Sequence, residues 1–215
     1  MSQPSPNALS VEANQAVRDL LASLIEIKQF VGFQYASWCT SGPSIEADIA
    51  LAGMAQEESG HAAALGALLE DPSTDKDALV TWASWSEKAG GMIDDWPLMI
   101  VTCLARDAAA TATLEALKGA RDARLAQRAT KMLQEERFHL MFGVETVRSF
   151  AALSPKARRD LGDCYRRALA EAENQLGSID KLSRLASLGV VSADAMEARR
   201  NSLENLSRRL NDVWA

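Results

Sequence analysis

Several things are scarce in this 215-residue chain, and each scarcity excludes a class of protein. Cysteine occurs three times, as Cys39, Cys103 and Cys164, widely spaced and without a Cys-x-x-Cys pair. Neither a disulfide framework nor a thiolate zinc site is indicated, and buried free thiols are expected. Positive charge is not in surplus: a formal net charge of −6 argues against a nucleic-acid partner, because phosphate binding needs clustered Lys and Arg. The Arg-rich stretches 121–128, 158–167 and 199–209 all carry interspersed Asp or Glu and read as solvated helix faces. No apolar run approaches about 18 residues, and Met1 to Leu9 lacks a basic segment followed by an apolar one. A cytoplasmic protein with no membrane partner is therefore expected. Pro/Gly/Ser-rich linkers are also missing, so a single domain is expected.

What the chain has in quantity is apolar sequence at helical spacing. Hydrophobic residues are 47% and charged residues 24% of the total, the composition of an ordinary packed protein. From Ser10 to Trp38, residues Val17, Leu20, Leu21, Leu24, Ile27, Val31, Tyr35 and Trp38 recur every three or four positions, which predicts an amphipathic helix. Pro43 and Ser44 suit the first positions of a second helix, which runs to about Leu69 and stops at Asp71-Pro72. Residues 71–92 read as a crossover connection. A third helix is predicted from Asp95-Trp96-Pro97 to Lys118 with Gly119 as its C-cap, and a fourth from about Arg121 to Phe150. Ser154-Pro155 opens a further helix to about Gln175, and a last one spans Ser192 to Trp214. The domain reading is a flexible tail over 1–10, a four-helix bundle over 11–150, and C-terminal helices over 151–215 that pack on the bundle or form an interface.

Histidine is the scarcity that points to chemistry. Both histidines follow a glutamate by three residues, in Gln56-Glu57-Glu58-Ser59-Gly60-His61 and Gln134-Glu135-Glu136-Arg137-Phe138-His139. A spacing of i, i+3 puts a carboxylate and an imidazole on one helix face about a turn apart. Ferritin-like bundles use two such pairs, with one further carboxylate from each of the other two helices, to hold two metal ions. Projection at about 100° per residue turns Glu58 and His61 toward the stripe of Ala50, Met54, Leu65 and Leu68. The same projection turns Glu136 and His139 toward Leu125, Ala129, Met132 and Val147. Glu57 and Glu135 lie off these stripes. Carboxylates and imidazoles aimed into an apolar core are costly unless a cation compensates them. A contact between each Glu and its His, with both histidines as satisfied core residues, is the plainer alternative, but two inward pairs that use every histidine favour a metal site.

Asp107, among alanines in the third helix, lies near the middle of the stripe of Trp96, Cys103, Leu114 and Leu117, and is the candidate third carboxylate. A buried pair with Arg106 or Arg128 is its alternative. The first helix breaks the pattern: its inward stripe carries Lys28 between Leu24 and Val31, while Glu26 and Gln29 project away unless the helix is rotated. An ammonium at the site would neutralise carboxylates and displace one ion, leaving a mononuclear site or a metal-free charge cluster, unless the side chain snorkels past the core.

These residues resemble the ferritin-like catalytic and structural subunits of the multicomponent phenylacetyl-CoA epoxidase, a bacterial oxygenase for CoA-activated aromatic acids. The resemblance covers about residues 24–150. The catalytic subunit reads Asp-Glu-Ala-Gly-His and Glu-Glu-Ser-Phe-His where this chain has Glu57 to His61 and Glu135 to His139, and Trp38, Pro43 and Asp107 fall in step. The structural subunit, which has lost its ligands, is similar in Trp38-Cys39 and in Ile45 to Ala52. The resemblance implies an all-α, ferritin-like four-helix bundle with a long crossover and extra C-terminal helices. It also implies Glu58, His61, Asp107, Glu136 and His139 as metal ligands. Lys28 stands where the catalytic subunit has its first glutamate, as a charge partner or proton donor. The expected function is a non-haem iron or manganese oxidoreductase, di-iron or mononuclear, that oxygenates a small organic substrate, CoA-linked by resemblance alone. An electron-transfer partner or a homologous subunit in a homo- or hetero-oligomer goes with that reading. The alternative is a non-catalytic scaffold subunit with a degenerate metal site. Iron storage or peroxide scavenging is disfavoured, because no storage-shell feature or rubredoxin-like Cys motif is present.

Overall fold

The computed structural model describes residues 10–69 and 90–214, and among these every regular element is α-helical. In chain order they are α1 (Val11–Trp38), α2 (Ile45–Leu69), α3 (Trp96–Leu117), α4 (Ala123–Ala151), α5 (Pro155–Leu176), α6 (Ser178–Ser187) and α7 (Ala195–Trp214). Most of the expected crossover, 70–89, and the N-terminal tail up to residue 9 lie outside the described residues.

Local chemistry sets the helix starts. Ser10 caps α1 through Oγ, which accepts from the Ala13 N–H at 3.1 Å, and Asp95 caps α3 by accepting from Leu98 at 2.9 Å. Ser154 caps α5 in the same way, with Pro155 at the first helical position, where its missing N–H costs nothing. At α2 the cap is Ser44, which accepts from Ala47 at 3.2 Å, so Pro43 sits before the cap and not within the first turn. Gly119 is not a left-handed cap, since positive φ occurs among the described glycines only at 90, 91, 177 and 189. Its reason is close approach: a Cβ there would lie 2.7 Å from Ser192 Oγ, where the chain leading into α7 passes and the Val190 carbonyl accepts from the Arg121 N–H at 2.7 Å.

α1 and α2 form one hairpin and α3 and α4 the other. α3 is the central helix, buried along most of its length and wrapped by α1, α4, α5 and α7. By length and composition α3 is apolar enough to cross a membrane, although Arg106, Asp107 and Glu115 interrupt its apolar run. Its most apolar window is 78% buried inside the protein, the signature of a core helix. α5 and α7 provide much of that cover, while the short α6, which the apolar pattern did not predict, packs on α1 and α7. The end of the connection into α3 is fastened to α1. Buried Gln34 donates to the Gly91 carbonyl and accepts from the Ile93 N–H, both at 2.9 Å, and Trp38 Nε1 donates to the Ile93 carbonyl at 2.8 Å. Not every arginine in the Arg-rich stretches is solvated: Arg199 is 5% exposed and paired with Glu173. Cys103 and Cys164 are buried free thiols as expected, while Cys39 is only half-buried.

Gly143 of α4 lets the second hairpin close tightly, because a Cβ at that position would sit 3.0 Å from Leu104 Cδ1 and 3.2 Å from Leu104 Cβ. Gly143→Val is expected to lower stability by about 1–3 kcal/mol through overpacking. Urea denaturation reads this directly, and an unchanged midpoint would contradict the close α3/α4 contact.

Candidate metal centre

Each of the four bundle helices contributes a buried charged or ionisable side chain to one cluster in the interior. On α1 the buried stripe Leu24, Lys28, Val31 and Tyr35 brings Lys28 inward, and its side chain is fully buried. Glu26 lies on the outside, where it accepts from Gln175 at 3.2 Å, so helix rotation does not bring it to the site. The Lys28 Nζ stands 3.0 Å from Glu58 Oε1, 3.2 Å from Asp107 Oδ1 and 2.5 Å from Glu136 Oε1, carboxylates from three different helices. It does not snorkel. Asp107 is thus paired with Lys28 and with the Tyr35 hydroxyl, which donates to Oδ2 at 3.0 Å, and the expected alternative partner Arg106 instead stacks on Phe30 and donates to Gln175.

The two histidines are held reciprocally. His61 of α2 places Nδ1 3.1 Å from Glu136 Oε1 and Nε2 2.6 Å from Glu135 Oε2, both on α4. His139 of α4 places Nδ1 2.9 Å from Glu58 Oε1 and Nε2 2.8 Å from Glu57 Oε2, both on α2. Both imidazoles therefore present Nδ1 to the centre and Nε2 to an outer, partly exposed carboxylate. Their ring centroids are 6.3 Å apart. Sequence projection missed Glu57 and Glu135, although the duplicated Gln-Glu-Glu was a usable signal for both. Tyr35 was counted with the apolar stripe, and its hydroxyl role was not anticipated. Thr111 was also missed; its Oγ1 lies 3.5 Å from Glu136 Oε2, at the long limit of hydrogen bonding.

Burial and charge compete throughout this cluster. Desolvation opposes the Lys28 charge, but Glu136, Glu58 and Asp107 outweigh it and hold the ammonium well above the ordinary lysine range. Burial raises Asp107 to about 7 against the pull of Lys28. For Glu136 burial acts upward as well, yet Lys28 and the imidazoles win and its carboxyl is held below the usual range. His139 reaches about 10 against the cost of desolvation, since its imidazole donates a hydrogen bond to Glu58 and lies beside the charge of Glu136. His61 is raised by Glu136 against desolvation. Three inner carboxylates face one ammonium and two imidazoles that favour protonation, so the interior is close to self-neutralised.

The donor set nevertheless fits a transition metal. Glu58, Asp107, Glu136 and His139 each offer an atom within 4.8 Å of the others, and all four are buried. Glu58 Oε2 is a buried polar atom with no hydrogen-bond partner, and His61 Nδ1 lies 3.1 Å from Glu136 Oε1 without an aligned hydrogen bond, so both atoms could turn to a cation. Carboxylate and imidazole donors suit iron or manganese, and histidines that ligate metal usually direct the other ring nitrogen to a carboxylate.

A family model described as phenylacetic acid catabolic protein matches residues 6–211. The chain belongs to this family. Solved structures similar to this family member include two variants of an R2-like ligand-binding oxidase, titled as aerobically reconstituted with a Mn/Fe and with a Fe/Fe cofactor. Each is 13% identical and covers 94% of this chain; the alignments span 82% and 81% of those chains, with TM-scores of 0.61 and 0.62. At that identity the likeness establishes the ferritin-like, all-helical fold. No curated protein matches the chain.

Replacing Lys28 by Met should expose how much the cluster relies on it. Removing one partner of a buried charge group costs about 3–5 kcal/mol, so the metal-free Lys28→Met protein should melt far below the wild type. A melting temperature equal to the wild type's would mean that Lys28 does not neutralise the carboxylates.

Proposed function

We propose that this chain is a ferritin-like, metal-dependent oxidoreductase whose centre takes one iron or manganese ion beside Lys28, and that it uses dioxygen to oxygenate a small organic substrate. The observation that carries the reading is the orientation of both imidazoles, Nδ1 inward toward inner carboxylates and Nε2 outward onto Glu57 and Glu135. A hydrophobic core has no use for that arrangement, and a metal site does. Glu58, His61, Asp107, Glu136 and His139 would hold the ion, and the ion would supply a redox-active Lewis acid with positions open to dioxygen. Lys28 would contribute the second positive charge and a proton donor at Nζ. Oxygenation places one oxygen atom in the substrate and one in water, which takes two electrons and two protons. An electron-donor partner is therefore part of the reading, as is a small-molecule substrate. The family name and the oxidase titles of the structural neighbours support this direction of chemistry.

A second reading has its own observation. Lys28 Nζ already stands within 3.2 Å of three carboxylates, where an ion would be expected. With that lysine as a permanent substitute, the chain would be a scaffold subunit for a related oxygenase, in a homo- or hetero-oligomer.

Metal counting separates the two. Protein loaded anaerobically with Fe(II) should retain about one ion per chain, and Glu58→Ala and His139→Ala should each weaken retention by 10-fold or more, on the order of 1.4 kcal/mol or above. Lys28→Glu should raise the stoichiometry to about two, by adding on α1 the carboxylate that ferritin-like two-metal sites take from that helix. Wild-type protein that retains no transition metal, while Lys28→Glu does, would establish the scaffold reading in place of the enzyme.

A further inference from the structure

Two clefts reach toward the centre from different sides of the bundle. One, of about 400 Å³, lies between α2 and α4 at Glu57, His61 and Glu135. Glu57 and Glu135 stand there between solvent and the imidazoles, and Arg128 and Lys131 on the same lining balance them, so this cleft offers an organic anion no surplus of positive charge. The other, of about 480 Å³, lies among α3, α4 and α7. Buried Thr111, whose hydroxyl lies 3.5 Å from Glu136 Oε2, is part of its lining.

The second cleft has the make-up of a ligand site, an apolar wall with a few polar groups at defined places. Leu133, Leu140 and Leu206 supply the wall, while α7 adds Asn201 and Asn205, one turn apart, with Ser202 beside them. Arg137 of α4 and Arg209 of α7 border it, and neither guanidinium forms an ion pair among the described residues. Glu115, the one acid on the border, is already tied to Lys118 at 2.9 Å. The surplus is positive, carried by two arginines from different helices, and Thr111 links the lining to Glu136 through its 3.5 Å contact.

We propose that this cleft binds an organic acid, its carboxylate held by Arg137 and Arg209 and its apolar body lying on Leu133, Leu140 and Leu206 toward Thr111. Arginine is suited to this because its planar fork pairs with both oxygens of a carboxylate. The proposal rests on the metal-dependent reading only for what would follow binding; binding itself needs no ion. α7 thereby gains a role beyond covering α3, as the wall that makes the cleft selective.

Calorimetric titration of the metal-free, full-length protein with octanoate, and with octan-1-ol as its neutral counterpart, tests this. Octanoate should bind saturably at one per chain and more tightly than octan-1-ol. Arg137→Gln and Arg209→Gln should each weaken octanoate binding about tenfold, from loss of a charge-assisted hydrogen bond, and leave octan-1-ol unaffected. Ser202→Trp, which fills the cleft from its half-buried edge, should abolish binding of both without changing the circular dichroism spectrum. Failure of octanoate to bind the wild type, or equal binding by the wild type and both glutamine variants, would overturn the proposal. Iron retention measured on the same preparations keeps the two readings apart: a protein that holds octanoate as described but no iron sinks the oxidoreductase and leaves the acid site standing.

Discussion

Everything at the centre of this bundle depends on one ammonium group placed among three buried carboxylates. Glu58, Asp107 and Glu136 come from three helices that would repel one another at this level if each carried an uncompensated charge. Lys28 reverses the sign of that interaction. Even so, a buried ion cluster is a poor source of net stability, because desolvation offsets most of the attraction. Its more defensible contribution is to specificity: the four helices can satisfy these groups in one register and one rotation, whereas their apolar stripes would tolerate several.

The surrounding apolar structure supplies the stability. α3 is buried against four neighbours, its alanines and the Gly143 opposite it allow close approach, and the C-terminal helices cover the side that a bare four-helix bundle would leave exposed. Gln34 and Trp38 fasten the end of the connection into α3, which fixes where Asp107 falls along the axis. The polar centre can therefore be strained in charge without being loose in geometry.

Much of this was legible in the sequence, for physical reasons. Three-and-four spacing marks helices strongly, Ser and Asp caps mark their starts, and a stripe argument alone placed Lys28, Glu58, Asp107 and Glu136 inward. What stayed hidden depends on contacts between helices. Glu57 and Glu135 project off their own stripes, but a glutamate side chain is long enough to reach sideways across the α2/α4 seam to the other helix's imidazole. Tyr35 looks apolar in a helical projection, and only the register of α1 against α3 gives its hydroxyl a partner. Gly119 looks like a helix terminator, and its true constraint is a chain segment more than seventy residues later. α6 is short and flanked by turns, so its periodicity carries little weight.

The reciprocal holding of the imidazoles has a consequence for assembly. Each histidine finds its carboxylates on the opposite hairpin, so neither half of the molecule contains a finished centre. Glu58, His61, Glu136 and His139 are buried only because the two hairpins are docked against each other. Once they dock, a displacement of α2 against α4 by a single residue would strand both rings together, making the seam an all-or-none latch between the two halves of the fold.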